Sequence, residues 1–370
     1  MSSCYVCTNE ITDKNRSQEH IILNAMGGKL KSSNLLCNEC NSKIGHEADG
    51  ELAQQFQFMS GYLQVKRDNG KIPTTKGGKL ADGTRIDLID GIRPRFASPK
   101  YEATPIADGF CYNVVARDEV EMRSILTGLK RKHPNLDIED AMKAVNHKKE
   151  RLNEHISFSQ TFGGELAFRS IAKSALNFYM LNKGSREQVL DLISYVSGQI
   201  KLDVVKHFHS KKNSYRKDAN EIIHLLHVVA KRREKLLYCY VEFFSTHSYL
   251  VLLSSDYCGP NRSHTYAYNL LTGKEVNKVV DLNLTASEIV NMDTHFKDFP
   301  QVKDRSDRFM KIATKLQTDN IIDNIISTAV NDIFAVKYGH EKIITHQMSE
   351  ELSGRIAHDM VAFYTGNYKW

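Results

Sequence analysis

Apolar residues follow two different periods along the chain, and these periods divide it into helical and extended parts. Over residues 164–181 the apolar side chains recur at near-helical spacing, which predicts the most clearly marked helix of the chain. Less regular patterns of the same kind predict helices over residues 41–58, 118–129, 138–155 and 188–196, and from residue 287 onward. Two stretches of different character remain between these helices.

Both remaining stretches have the residue types of β-structure. Residues 61–111 are rich in Gly and Pro and hold short alternating runs, for example at 84–89, which predict β-hairpins. Farther along, β-branched and aromatic residues predict the strands of an antiparallel sheet at 221–229, 236–244, 249–254 and 265–271. The chain is therefore predicted to be an α+β protein.

The change in texture along the chain predicts three parts. Residues 1–60 form a small module, 61–115 a β-rich segment or linker, and 116–370 a larger α+β region with a recognition or regulatory role. A length of 370 residues is enough for two or three domains.

Composition narrows the class of protein. A hydrophobic content of 41% and a charged content of 25% are ordinary for a soluble protein, and no run reaches the roughly 18 apolar residues of a membrane span. The N-terminus lacks the apolar stretch of a signal peptide. We therefore expect a cytoplasmic protein without a membrane partner. The net charge of +6 permits a polyanionic partner without demanding one.

Four of the seven cysteines form two C-x2-C pairs near the N-terminus. Each pair makes a tight turn that can present both sulfur atoms to one ion, so Cys4, Cys7, Cys37 and Cys40 predict a structural zinc site. Taken alone, this pattern is equally typical of a zinc ribbon without catalytic chemistry.

An acidic residue followed by a histidine lies between the two pairs. Glu19 and His20 would point to opposite faces of an extended segment, so the carboxylate could bind Mg²⁺ while the imidazole acts as a general base. Asn41, directly after the second pair, could supply a second oxygen ligand, and Asn34 could orient the imidazole by a hydrogen bond.

These residues together resemble the ββα-metal fold of HNH endonucleases, in the branch whose finger is held by two C-x2-C pairs. The shared motifs are Glu19-His20, Gly27-Gly28, Asn34-Leu35, Cys37-Asn-Glu-Cys40-Asn41, Lys43 and Gly45. The resemblance implies that Glu19 and Asn41 bind the catalytic Mg²⁺ or Mn²⁺, that His20 activates water against a phosphodiester and that Asn34 orients His20. A further helix ligand of some members would fall on Gly45, so His46, one residue later, is a candidate ligand.

The resemblance implies a metal-dependent endonuclease that hydrolyses nucleic acid, with DNA as the expected substrate. Proteins of this layout are expected in restriction or anti-phage defence, where the C-terminal region would select the target, a signalling ligand or a partner such as an Argonaute. The basic loop at 206–217 is a candidate contact with nucleic acid. Two alternatives stay open, a non-catalytic zinc-stapled DNA-binding or scaffold protein and a nuclease that is inactive until a partner or ligand binds.

Overall fold

The computed structural model divides the chain into two compact units, Met1–Gln301 and Val302–Trp370. The structure describes residues 2–107, 109–146, 154–210, 213–292, 300–339 and 343–366. It contains both helices and antiparallel sheets, which confirms the predicted α+β class. The boundaries predicted near residues 60 and 115 both fall inside the first unit.

The described helices match most of the helical patterns in the sequence. They are α1 (Asn38–Gln55), α2 (Gln57–Tyr62), α3 (Glu119–Lys132), α4 (Ile138–Lys143), α5 (Glu165–Leu181), α6 (Leu190–Val196), α7 (Ala286–Val290), α8 (Pro300–Val330) and α9 (His346–Tyr364). Short 3-10 turns occur at Asn24–Met26 and Arg186–Gln188, and a π-helical segment follows α8 at Asn331–Lys337.

One predicted helix is shorter than expected. The pattern over 138–155 predicts a single helix, but α4 ends at Lys143, and residues 154 and 155 are not helical. Residues 147–153, with the basic cluster at 148–151, lie outside the described residues. No side chain of α4 is buried, so tertiary packing does not extend this helix beyond what its local sequence supports.

The described strands form the antiparallel structure that the sequence predicts. They are β1 (Glu19–His20), β2 (Lys31–Ser32), β3 (Thr75–Lys79), β4 (Arg85–Ile89), β5 (Arg93–Phe96), β6 (Lys100–Ile106), β7 (Gly109–Val115), β8 (Val205–His207), β9 (Ile223–Lys231), β10 (Leu236–Phe243), β11 (His247–Ser254), β12 (Arg262–Asn269) and β13 (Lys274–Glu275). The first two pair with each other, β3 to β5 form a small sheet, and β6 and β7 form a hairpin.

The largest sheet has the order β13-β12-β9-β10-β11-β8, and every neighbouring pair is antiparallel. Alternate residues of β9 point to opposite faces of this sheet. Ile223 and Leu225 join an apolar cluster that also includes Ile289 of α7. Leu226 and Val228, on the other face, are buried as well. Both faces are therefore covered, which explains why the strand sequences are apolar without strict alternation.

Helix α5 packs between the sheet and α1. It contacts strands β8 to β11 on one side and α1 on the other, and nearly every side chain from Ala167 to Tyr179 is buried. At its N-terminal end, Gln55 of α1 exchanges two hydrogen bonds with the backbone of Gly163, at 2.8 and 2.9 Å. The N-terminal module is thus attached to the sheet through α5.

Phe56 anchors the end of α1 to the same sheet. Its side chain is fully buried, and its ring lies 5.1 to 5.6 Å from the rings of Phe162, Phe243, Phe244 and His247. Aromatic contacts of this kind add to the free energy gained by apolar burial.

The second unit consists of most of α8, the π-helical segment and α9. Lys337 and Glu351 form an ion pair at 2.5 Å that joins the π-helical segment to α9. Within the part of the chain that the structure describes, no helix has both the length and the apolar character needed to cross a bilayer.

Candidate functional site

The four paired cysteines come together in space. Their Sγ atoms all lie within 4.8 Å of one another, and Cys7 Sγ lies 3.8 Å from Cys37 Sγ. Tetrahedral zinc with Zn–S bonds of about 2.3 Å places its sulfur ligands roughly 3.8 Å apart. The arrangement therefore fits a structural zinc ion, as the sequence predicts.

Local structure explains why the two pairs converge. Cys4 and Cys7 belong to a tight turn in which the Thr8 amide donates to the Cys4 carbonyl at 2.8 Å. Cys37 is the residue before the first turn of α1, and Cys40 lies in that turn. The Tyr5 backbone N–H, inside the first turn, donates to the Leu35 carbonyl oxygen at 3.1 Å and so joins that turn to the segment before Cys37.

A cleft of about 310 Å³ opens between β1 and α1. Antiparallel pairing sets Glu19 opposite Ser32 and His20 opposite Lys31, which fixes the register of β1. The cleft is lined by Gln18, Glu19, His20, Leu23, Asn24, Asn41, Ser42, Gly45, His46 and Asp49. Four of the side chains singled out from the sequence therefore meet at one place, namely Glu19, His20, Asn41 and His46.

Asn34 is outside this group of cleft-lining residues. It is exposed on the loop between β2 and α1, and its backbone N–H donates to Ser32 Oγ at 3.3 Å. The partner that the structure gives to the His20 imidazole is a different residue. His20 Nε2 lies 3.0 Å from Asp68 Oδ2.

Two lysines hold the Asp68 carboxylate beside His20. Lys29 Nζ donates to Asp68 Oδ1 at 3.0 Å, and Lys31 bonds Oδ2. Bonds from Lys31 and Lys29 keep the pKa of Asp68 well below its ordinary value. Desolvation lowers the pKa of His20, against the opposing effect of the Asp68 bond, so the imidazole is neutral near pH 7.

Glu19 faces the opposite way and is buried. Its Oε1 accepts from Lys173 Nζ at 2.8 Å and from Asn177 Nδ2 at 3.0 Å. Both donors lie on α5, and their side chains are 2% and 0% exposed. The buried carboxylate therefore has the partners that its charge requires.

Lys173 also joins two residues of α1. Its Nζ donates to Asn41 Oδ1 at 3.2 Å and to Asp49 Oδ2 at 2.7 Å, while Ser170 Oγ donates to Asp49 Oδ1 at 2.6 Å. Burial opposes the charge on Lys173, but the carboxylates of Asp49 and Glu19 outweigh it and raise the pKa of the ammonium group.

The donor set suits a hard divalent cation. Glu19, Asn41 and Asp49 each present a side-chain oxygen to one point in space, and Mg²⁺ and Mn²⁺ bind oxygen ligands of these types. The distances of 2.7 to 3.2 Å are those of hydrogen bonds to an ammonium group. Because all three side chains offer oxygen ligands, they fit Mg²⁺ or Mn²⁺, the ions that the sequence predicts.

Sequence reasoning missed Asp49, Asp68 and Lys173, although two of them left a signal. Asp49 follows Asn41 at a spacing of two helical turns, which places both on one face of α1. Ser170, Lys173 and Asn177 form a polar stripe at helical spacing in the most apolar helix of the chain. Asp68 lies in a loop and has no periodic signal.

Two lysines of the basic loop at 206–217 pair with carboxylates of the same chain. Lys206 is buried and pairs with Asp203, and Lys217 binds the fully buried Glu242 at 3.1 Å. Residues 211 and 212 lie outside the described residues. Of these two pairs, only the Lys217 pair is internal, since Asp203 is exposed, and Arg216 of the same loop is exposed as well.

Comparison with known proteins agrees with the motifs of the N-terminal module. Residues 4–57 match the family model of HNH endonucleases. This stretch contains all the site residues predicted from the sequence, whereas Asp68 and Lys173 lie beyond it. No curated protein and no solved structure matches the chain.

Proposed function

We propose that this protein is a metal-dependent endonuclease that hydrolyses phosphodiester bonds in DNA. The observation that carries the proposal is the cleft in which Glu19, His20, Asn41 and His46 meet, inside the stretch that matches HNH endonucleases. A polar cleft with convergent titratable groups is where a reacting phosphate and water can be held.

His20 is the general base in this proposal. The Asp68 carboxylate can only accept, so His20 Nε2 carries the hydrogen of that bond and Nδ1 keeps its lone pair. A neutral imidazole with a fixed tautomer can take a proton from water at Nδ1. Asp68 is a positioning residue, because it acts on the reaction through His20.

Glu19 and Asn41 would hold Mg²⁺ or Mn²⁺, together with Asp49. When bound, the ion supplies positive charge that stabilises the charge developing on the scissile phosphate. His46 lies on the exposed side of α1 at the cleft, where it can donate a hydrogen bond to a phosphate oxygen.

A non-catalytic scaffold is the second candidate function, and one observation favours it. Lys173 already bonds all three oxygen-bearing side chains of the cation position, an arrangement that would suit a module without a catalytic ion. A role in restriction or anti-phage defence, and the choice of a target or partner, stay predictions from the sequence.

The test is cleavage by the full chain of supercoiled plasmid, single-stranded DNA and single-stranded RNA. We expect nicked or linear plasmid with Mg²⁺ or Mn²⁺, products ending in a 5′ phosphate and a 3′ hydroxyl, and no product in excess chelator. Cleavage that persists without a divalent ion would contradict the proposal. The variant Lys173→Met is tested beside the wild type, because Lys173 occupies the cation position. Failure of both proteins to cut any of these substrates would also contradict the proposal.

A further inference from the structure

Three side-chain oxygens surround the Lys173 ammonium group as they would surround a metal ion. Nζ lies 2.8 Å from Glu19 Oε1, 3.2 Å from Asn41 Oδ1 and 2.7 Å from Asp49 Oδ2. The Lys173 side chain is 2% exposed. The Lys173 ammonium group thus occupies the position at which these three oxygens would bind a metal ion.

The negative charge of the carboxylates at this position requires a cation close by. Glu19 and Asp49 contribute two carboxylates, and Lys173 contributes one ammonium group. Removing Lys173 without replacement would leave the buried Glu19 carboxylate without its ion-pair partner, which is strongly unfavourable. A second cation beside Lys173 would be repelled at close range. Because the same three oxygens cannot surround two cations at one point, Lys173 and a metal ion would exclude each other there.

Lys173 comes from outside the stretch that matches HNH endonucleases. It lies on α5, whereas its three acceptors lie on β1 and α1. Gly45 leaves room for it, because a Cβ atom there would lie 2.8 Å from Asp49 Oδ2 and 3.4 Å from Lys173 Nζ. A larger side chain at this helix position would crowd the ammonium group.

We propose that Lys173 and a divalent ion compete for the oxygens of Glu19, Asn41 and Asp49, so that α5 controls whether the cleft holds its metal. The proposal rests on the proposed function and extends it with a named competitor for the three oxygen ligands. Binding of the ion requires the Lys173 side chain to leave, while the zinc module keeps its fold. The region after the HNH module would thereby regulate the cleft.

The test measures Mn²⁺ binding to the zinc-loaded full chain by the electron paramagnetic resonance signal of the free ion. We expect Lys173→Met to bind Mn²⁺ at least about tenfold more tightly than the wild type, because the state in which Lys173 occupies the oxygens is removed. Adding Asp49→Asn to that variant should weaken binding by about tenfold. The matched control is Lys278→Met, since Lys278 is also a buried lysine paired with a buried carboxylate, Glu221, and should bind like the wild type.

Equal or weaker Mn²⁺ binding by Lys173→Met would overturn the proposal. Lys173→Gln and Lys173→Arg guard against a folding defect, with folding checked by circular dichroism and zinc content. The neutral Gln variant should bind more tightly and the cationic Arg variant should not. Tighter binding by both would overturn the competition.

A second measurement uses the wild type alone. Reductive methylation read by mass spectrometry should leave Lys173 unlabelled in metal-free buffer and label it at saturating Mn²⁺, while Lys278 stays unlabelled in both. Protection of Lys173 at saturating Mn²⁺ would overturn the proposal. Metal-dependent cleavage by the wild type with no effect of Lys173→Met on Mn²⁺ affinity would leave the proposed function standing and remove the competition alone.

Discussion

His20 Nε2 lies 3.0 Å from Asp68 Oδ2, although 48 residues separate them in the chain. The loop that carries Asp68 is fixed to the cleft wall, because the Asp68 backbone N–H donates to Asn24 Oδ1 at 3.1 Å. The orientation of the His20 imidazole therefore depends on a residue beyond the stretch that matches HNH endonucleases.

The first prediction concerns this pair. Asp68→Ala should lower the cleavage rate by about tenfold or more, because the imidazole loses the acceptor that fixes its tautomer. Asp68→Asn should retain more activity than Asp68→Ala, since its amide oxygen can still accept from Nε2. The measurement is the single-turnover rate of plasmid nicking.

The control for this prediction is Asp256→Ala, because Asp256 is an exposed aspartate paired with Lys235. It should cut at the wild-type rate. Wild-type activity in Asp68→Ala would show that His20 needs no positioning by Asp68.

The second prediction concerns zinc. Cys37→Ser should lose the bound zinc and all cleavage activity, since a module this small depends on its metal for folding. Cys258→Ser, at an exposed thiol outside the cluster, should keep both. Zinc content by mass spectrometry and circular dichroism check the expectation. A stoichiometric zinc ion in Cys37→Ser would contradict it.

The third prediction concerns the stability of the pair formed by Glu19 and Lys173. Lys173→Met should lower the free energy of unfolding by about 3 kcal/mol, because it leaves the Glu19 carboxylate buried without its ammonium partner. Adding Glu19→Gln should restore part of this loss. Urea unfolding of the single and double variants gives the coupling free energy.

An exposed ion pair serves as the reference for the comparison of single and double variants. Lys235→Met removes the partner of Asp256, whose side chain is 83% exposed, and should change stability by less than about 1 kcal/mol. Additive effects of Lys173→Met and Glu19→Gln would mean that the two side chains are not coupled.

Local patterns were sufficient to predict most elements and the zinc cluster. Paired cysteines need only two tight turns, and the spacing that predicts α5 over 164–181 agrees with the observed helix Glu165–Leu181. The predicted length of the helix over 138–155 was wrong, because a helix without buried side chains is not extended by packing.

The composition of the cleft could be predicted only in part. Glu19, His20 and Asn41 belong to short motifs, whereas their partners come from distant segments. Asn177 reaches Glu19 across 158 residues, and no periodicity in the sequence reports which buried polar side chain meets which. The polar stripe on α5 signals a buried polar contact, but its partner is defined by tertiary packing alone.

The fourth prediction concerns acid stability. His224 is buried, its Nδ1 accepts from the Phe244 amide at 3.3 Å, and its Nε2 lies 2.8 Å from the Met26 carbonyl oxygen. Desolvation lowers the pKa of His224 to about 4. The unfolded chain, with an ordinary pKa near 6.5, takes up the proton first, so this contribution is complete above pH 6.5 and is lost as the pH falls toward 4.

This loss amounts to about 3 kcal/mol between neutral pH and pH 4. His224→Gln should be less stable than the wild type at pH 7.5 but should lose less stability on acidification, because its amide does not titrate. Urea unfolding at pH 7.5 and pH 4.5 measures both effects. An equal loss in wild type and variant would show that His224 does not control the acid response.

The most direct test of the central claim is the Mn²⁺-dependent nicking rate of the wild type against His20→Ala. We expect His20→Ala to cut at least about 100-fold more slowly, since it removes the general base. His264→Ala, at an exposed histidine of β12, should cut like the wild type. The effect of His20→Ala is also measured in the Lys173→Met variant, where Lys173→Met alone is the parent protein. Equal rates for His20→Ala and its parent in both backgrounds would mean that the cleft between β1 and α1 is not the active site.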